Sequence, residues 1–273
     1  MSGHDRVHDV SSAAYGTIVV VGGGCYGSFY VRQLGRARAA GALTWRRVVA
    51  VDRDAACALT RAMTAGEITT PDVDVVVSDW SAFFRTYLES ACADPEGTAM
   101  DAIVPSPLMP HLMFEWLLAR TTDRWPDRAV GTRSPSEATG IPWQRSASDG
   151  TRYVSFAEWI CPVNCIEPSV CPKTRGERWW TMPTAVQSYV DGARSAGHPI
   201  AGPVIFHCTH RAYGVGMFDT AAAVQADALV RASGNRGPVD VLVGTVSHCH
   251  GALSVLTIGP ANGGVARGGT ENG

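Results

Sequence analysis

The run Thr17-Ile-Val-Val-Val21, followed at once by Gly22-Gly23-Gly24-Cys25-Tyr26-Gly27, constrains this chain more than any other segment. A short β-branched run of this kind predicts a buried parallel strand. The spacing predicts a helix from about Ser28 to Ala40, with Phe29, Val31, Leu34 and Ala37 at apolar positions and a stop at Gly41. Arg47 to Val51 then predicts a second strand, and Asp52 at its tip lies 25 residues beyond Gly27. The order strand, glycine turn, helix, strand, acid suits a dinucleotide. Gly22 permits the tight turn, Gly24 lets the backbone approach a pyrophosphate, and Gly27 lets helix and strand pack closely. Cys25 and Tyr26 fill the intervening positions and belong to the same candidate site. The helix N-terminus offers free N–H groups and the positive end of its dipole. Asp52 is placed to accept hydrogen bonds from ribose hydroxyls, which favours NAD over NADP because a 2′-phosphate would meet a carboxylate.

The pattern repeats, with Asp74 to Ser78 as a third strand, a helix from about Ser81 to Ala93, and Ala102 to Pro105 as a fourth strand. Asp79 follows the third strand, where it either meets an adenine ring or caps the next helix. The turn from Ser106 to His111 falls on the same carboxyl edge, where His111 either reaches a ligand or lies on the helix surface. On Gly22, Gly24, Gly27, Asp52 and Asp79, residues 16–120 resemble the Rossmann NAD(P)-binding superfamily. The short first unit is similar to the nucleotide-binding regulatory domain of potassium channels and transporters, of RCK or TrkA-N type. That resemblance implies binding of NAD, NADH or ATP and a regulatory role. S-adenosylmethionine enzymes use a similar first turn and acid, so that ligand stays open.

Three of the eight cysteines fall in Cys161-Pro-Val-Asn-Cys165-Ile-Glu-Pro-Ser-Val-Cys171-Pro. Prolines exclude regular helix or central strand there and predict a stiff loop able to aim several thiolates at one point. The C-x3-C-x5-C spacing matches neither zinc-ribbon knuckles nor the ferredoxin run. Clustered thiols in a chain expected to stay reduced point to an iron–sulfur cluster or zinc on Cys161, Cys165 and Cys171. Two strand ends add soft ligands, His207-Cys208-Thr-His210 and His248-Cys249-His250. Cys208 or Cys249 is the candidate fourth ligand. His207, His210, His248 and His250 are candidates for ligation or proton transfer, unranked. Alternation along a strand puts His207 and Cys208 on opposite faces and His248 and His250 on one face, with a bend that leaves Cys249 exposed. Trp179 and Trp180 are placed either to shield the centre or to fill a core.

The expected organisation is α/β: a Rossmann-like parallel-sheet domain over 16–120, a linker or flap over 121–150, a smaller α/β region carrying the cysteine-rich loop over 151–260, and a tail over 261–273. An apolar fraction of 45% supplies a core, and a net charge of −2 without a basic run disfavours nucleic acid as a partner. The first apolar run is too short for a signal peptide or membrane insertion, so the expectation is a cytoplasmic protein with a small-molecule nucleotide as partner and self-association left open. The functional expectation is an NAD-dependent oxidoreductase or redox-cofactor protein. A non-enzymatic NAD or redox sensor is the alternative, and an S-adenosylmethionine-dependent transferase the third reading.

Overall fold

The computed structural model describes residues 13–138, 140–157 and 165–261; Cys161 lies outside them. The chain forms a mixed α/β structure. It opens with β1 (Ala13–Val21), α1 (Cys25–Ala39), β2 (Leu43–Asp52), α2 (Ala58–Thr64), β3 (Val73–Val77), α3 (Trp80–Ala93), β4 (Ala102–Val104) and α4 (Leu112–Arg124). It continues through β5 (Arg128–Arg133), β6 (Trp143–Ser146), β7 (Arg152–Ser155), α5 (Met182–Ser195), β8 (Ile200–His207), β9 (Thr209–Ala212), β10 (Val215–Asp219), α6 (Thr220–Gly234), β11 (Val239–Val246) and β12 (His250–Ala261).

Two six-stranded mixed sheets result. The first runs β3-β2-β1-β4-β10-β9, parallel from β3 to β4, with β10 antiparallel to β4 and β9 antiparallel to β10. The second runs β6-β7-β12-β11-β8, with β5 also on β12; β8 and β11 are parallel and the other pairs antiparallel. The β-branched runs of β1 and β2 are buried on both faces, as strands covered by helices on each side must be, whereas β3 at the sheet edge is only partly buried. Ile18 and Val20 of β1 pack with Val31 and Leu34 of α1 and Leu59 of α2. Val19 and Val21, pointing the other way, join Phe84 and Leu88 of α3 and Leu117 of α4. That central layer is completed by Val230 of α6 and by Phe206, Val243 and Leu256 of the second sheet. The outer face of the second sheet packs on Met182, Val186 and Val190 of α5 together with Cys171 and Trp180.

The stretch 121–150, expected to be a linker or flap, instead carries the end of α4 and the strands β5 and β6. Its polar residues disguise this because they serve the pairing. Arg128 donates to the carbonyls of Gly259, Gly234 and Gly237 at 2.7, 2.6 and 2.8 Å, anchoring β5 to β12 and to the end of α6.

Asp101, just before β4, joins the two halves of the chain. Its Oδ1 accepts the Thr17 N–H at 2.6 Å, its Oδ2 accepts the Tyr87 hydroxyl at 3.0 Å, and its carbonyl accepts the N–H of Thr220, the first residue of α6. Tyr87 also meets the Thr220 hydroxyl at 3.0 Å, and burial pushes its phenol well above the usual range. Asp101 is itself buried, so losing its carboxylate would leave the Thr17 N–H without its acceptor and Tyr87 with only the Thr220 hydroxyl. Asp101→Ala is therefore expected to destabilise the protein by about 2–4 kcal/mol, seen as a lower urea midpoint at unchanged m-value. An unchanged midpoint would remove Asp101 from this role.

Candidate functional site

The glycine turn is built as backbone sterics require. Gly22 has φ +87° and donates its N–H to Val51 O at 2.8 Å, which bends the chain straight off β1. A Cβ on Gly27 would lie 1.8 Å from Gly22 O, so only glycine lets the first turn of α1 pack this closely. A Cβ on Gly24 would meet nothing within 4 Å. Gly24 and Cys25 are exposed, and α1 starts without a side-chain cap, so the N–H groups of its first turn are not taken up by a capping side chain. Asp52 is locked against this turn: Oδ2 accepts the Gly23 N–H at 2.7 Å and Oδ1 the Asp54 N–H at 2.9 Å. Asp79 is placed differently. It caps α3 by accepting from Ser81 and Ala82 and pairs with Arg53 at 2.6 Å. Its carboxyl lies below the usual range, chiefly through the Ala82 N–H and further through Arg53.

A cleft of about 510 Å³ opens beside α1 and collects residues from both halves of the sequence. Tyr26 and Tyr30 of α1 and the 105–110 loop after β4 form one wall, while Cys165, Glu167, Cys171, Arg178, Cys208, His210, Cys249 and His250 line the rest. Gly22, Gly24, Gly27 and Asp52 adjoin it through Tyr26 but do not line it, and neither do His207 and His248. His111 turns instead to Tyr153 and Thr151, at 2.8 and 3.3 Å.

Arg178 organises the thiols. Its Nη2 donates to Cys165 Sγ at 3.9 Å, while Nε and Nη1 are buried with no partner among the described residues. Burial works against ionising Cys171, but the Thr174 and Lys173 N–H groups, the Thr174 side chain and Arg178 outweigh it and bring this thiol down to about 7. Cys208 and Cys249 go the other way: burial pushes them up to about 12 and about 11. His207 is lowered by burial, against the pull of Glu167. Glu167, in the left-handed region at φ 54°, accepts the His248 N–H at 3.0 Å and faces His210 Nε2 at 3.8 Å. The second ring nitrogen of His210, Nδ1, is buried without a partner.

Cys249, expected to be exposed, is buried. The strands end at Val246 and resume at His250, so the turn breaks the alternation that would have set His248 and His250 on one face. The turn is also covered: Met182 N–H bonds to His248 O and Phe156 N–H to Cys249 O. Trp180 is buried and stacked on Phe156 at 5.4 Å, whereas Trp179 is 82% exposed. Neither Glu167 nor Arg178 is singled out by the sequence analysis above. The available signal was an acid inside the cysteine loop and an arginine just after it. Among the described residues, no group of three or more His, Cys, Asp or Glu is arranged to hold a metal ion, and no helix is long and apolar enough to cross a membrane.

A family model described as "Uncharacterized protein, C-terminal domain" matches residues 113–259. The matched segment, more than half the chain, contains every thiol of the cleft and none of the glycine turn. No curated protein and no solved structure matches the chain.

The Cys171 thiol has its pKa lowered by folding. Its thiolate interactions are complete above the ordinary thiol value of 9.0 and are lost as pH falls through about 7. Its alkylation by iodoacetamide, followed by peptide mass spectrometry, should accordingly have a midpoint near 7. A midpoint at or above 9.0 would show that the turn and Arg178 do not stabilise the thiolate.

Proposed function

We propose that this chain, which belongs to the family described as "Uncharacterized protein, C-terminal domain", is a dinucleotide-binding redox protein. In this reading the Rossmann-like unit from β1 to β4 holds a nicotinamide dinucleotide, and the thiol-lined cleft is the reactive centre. The observation that carries it is the shared cleft: Tyr26 and Tyr30 of the helix that begins at the glycine turn face the same cavity as four cysteines. The residues present suit the cofactor. The uncapped first turn of α1 and the bare approach at Gly24 suit a pyrophosphate, and Asp52, already oriented by the Gly23 and Asp54 N–H groups, keeps further lone pairs for ribose hydroxyls. When bound, the nicotinamide supplies hydride transfer; the chain binds and orients it and limits the access of water. Asp79, engaged as a helix cap, is a weaker candidate for the adenine contact.

A second reading places zinc or an iron–sulfur cluster on Cys161, Cys165 and Cys171, with Cys208 or Cys249 as fourth ligand. The N–H groups of Lys173 and Thr174 favour it, since they stabilise Cys171 as the thiolate a metal needs. Arg178 opposes it by holding a positive charge against the same sulfurs. Iron and zinc analysis of anaerobically purified protein decides between the two forms of the centre.

Gly24→Val adds a side chain where nothing lies within 4 Å, so this variant should fold normally yet lose NADH binding by at least tenfold, read by calorimetry. Unchanged affinity in the folded variant would reject the site. ADP-ribose should compete for it; displacement of NADH by S-adenosylmethionine but not by ADP-ribose would identify the wrong nucleotide class.

A further inference from the structure

Among the described residues, Arg178 has no carboxylate partner. Glu167, the acid in the same cleft, gives one oxygen to the His248 N–H and turns the other toward His210. The groups held against Arg178 are sulfurs: Cys165 at 3.9 Å from Nη2, with Cys171 and Cys249 close enough to favour its charged form. A half-buried arginine whose Nε and Nη1 have no partner among the described residues needs an anion nearby, because a buried charge is costly unless it is compensated locally. An ionised thiol meets that need.

The loop is built to keep these groups together. Val170 and Glu177 form a bridge, Cys171 N–H bonds to Gly176 O at 2.9 Å, and Arg178 N–H bonds to Ser169 O at 2.8 Å. Cys171 and Arg178 therefore flank one closed turn, and Cys165 leads into it. The described cysteines are all free, and Cys165 and Cys171 both line the cleft.

We propose that Cys171 and Cys165 form a dithiol–disulfide centre, assembled on Arg178, that exchanges electrons with a small organic disulfide entering the cleft. The Cys171 thiolate attacks one sulfur of the substrate. A Cys171–substrate disulfide forms, the substrate S–S bond breaks, and the first thiolate leaves with the proton that Cys171 gave up. Cys165 then attacks Cys171 Sγ, closing the intrachain disulfide and releasing the second thiol with the Cys165 proton. The protein loses two electrons, and the disulfide becomes two thiols. Arg178 stabilises the attacking thiolate. The reaction does not require the nucleotide proposed above, so the two proposals fail separately.

The test uses the reduced full-length chain without nucleotide and bis(2-hydroxyethyl) disulfide as the probe, with released 2-mercaptoethanol and peptide masses as readouts. Wild type should release two thiols per chain and acquire a Cys165–Cys171 disulfide. Cys165→Ser should stop at the mixed disulfide on Cys171 with one thiol released, and Cys171→Ser should release none from this loop. Arg178→Met should slow the first step by about tenfold or more, and Arg178→Lys should recover part of the rate. Cys92→Ser, on α3 outside the cleft, should behave as wild type. The proposal is overturned if Cys171→Ser reacts like wild type, if the product pairs Cys171 with Cys249, or if the purified protein carries stoichiometric metal on Cys165 and Cys171.

Discussion

The antiparallel pairing of β10 with β4, Phe218 opposite Ile103 and Asp219 opposite Ala102, is the contact on which the rest of the structure depends. It carries the second half of the chain into the first sheet, and the Asp101 carboxylate secures it by tying Thr17, Tyr87 and Thr220 to one buried point. Once β10 lies beside β4, its neighbour β9 follows, and Cys208 and His210 arrive beside α1. Without that pairing, β9 would not bring Cys208 and His210 to the cleft that Tyr26 and Tyr30 line. A short strand contact thus sets the geometry of the cleft.

Charge balance shapes the cleft next. Glu167 and Arg178 share it without forming an ion pair, since each is committed elsewhere: the acid to His248 and His210, the guanidinium to sulfur. Low dielectric makes both arrangements consequential, because a buried charge must be met locally. One cavity consequently holds thiols of opposite tendency, Cys171 poised near neutrality and Cys208 and Cys249 kept protonated by burial. Thiols that differ in this way are distinguishable to an incoming electrophile, although all four line the same space.

The β–glycine turn–α–β–acid segment was legible because its constraints are local. Gly22 needs a positive φ, Gly27 cannot carry a Cβ, and Asp52 sits at the end of the strand that pairs directly with β1. The strands β5 and β6 were not legible, because polar runs such as Arg128–Arg133 become strands only when a partner is there, β12 for β5 and β7 for β6. Cys249 was misjudged for a related reason. A hairpin turn is exposed by default, and this one is buried only because α5 and the end of β7 close over it.

By itself, then, the sequence determined where the chain turns off β1 and that the β-branched runs of β1 to β4 form strands. Backbone sterics and hydrophobic periodicity act over a few residues and leave their mark in the order of letters. The tertiary structure alone decided that Arg178 meets sulfur, that Glu167 turns to His248 and His210, and that the cleft faces the glycine-turn helix. Those relations join positions far apart in the chain, such as Tyr26 and Cys249, and arise from sheet pairing and from balancing buried charge, neither of which any local pattern encodes.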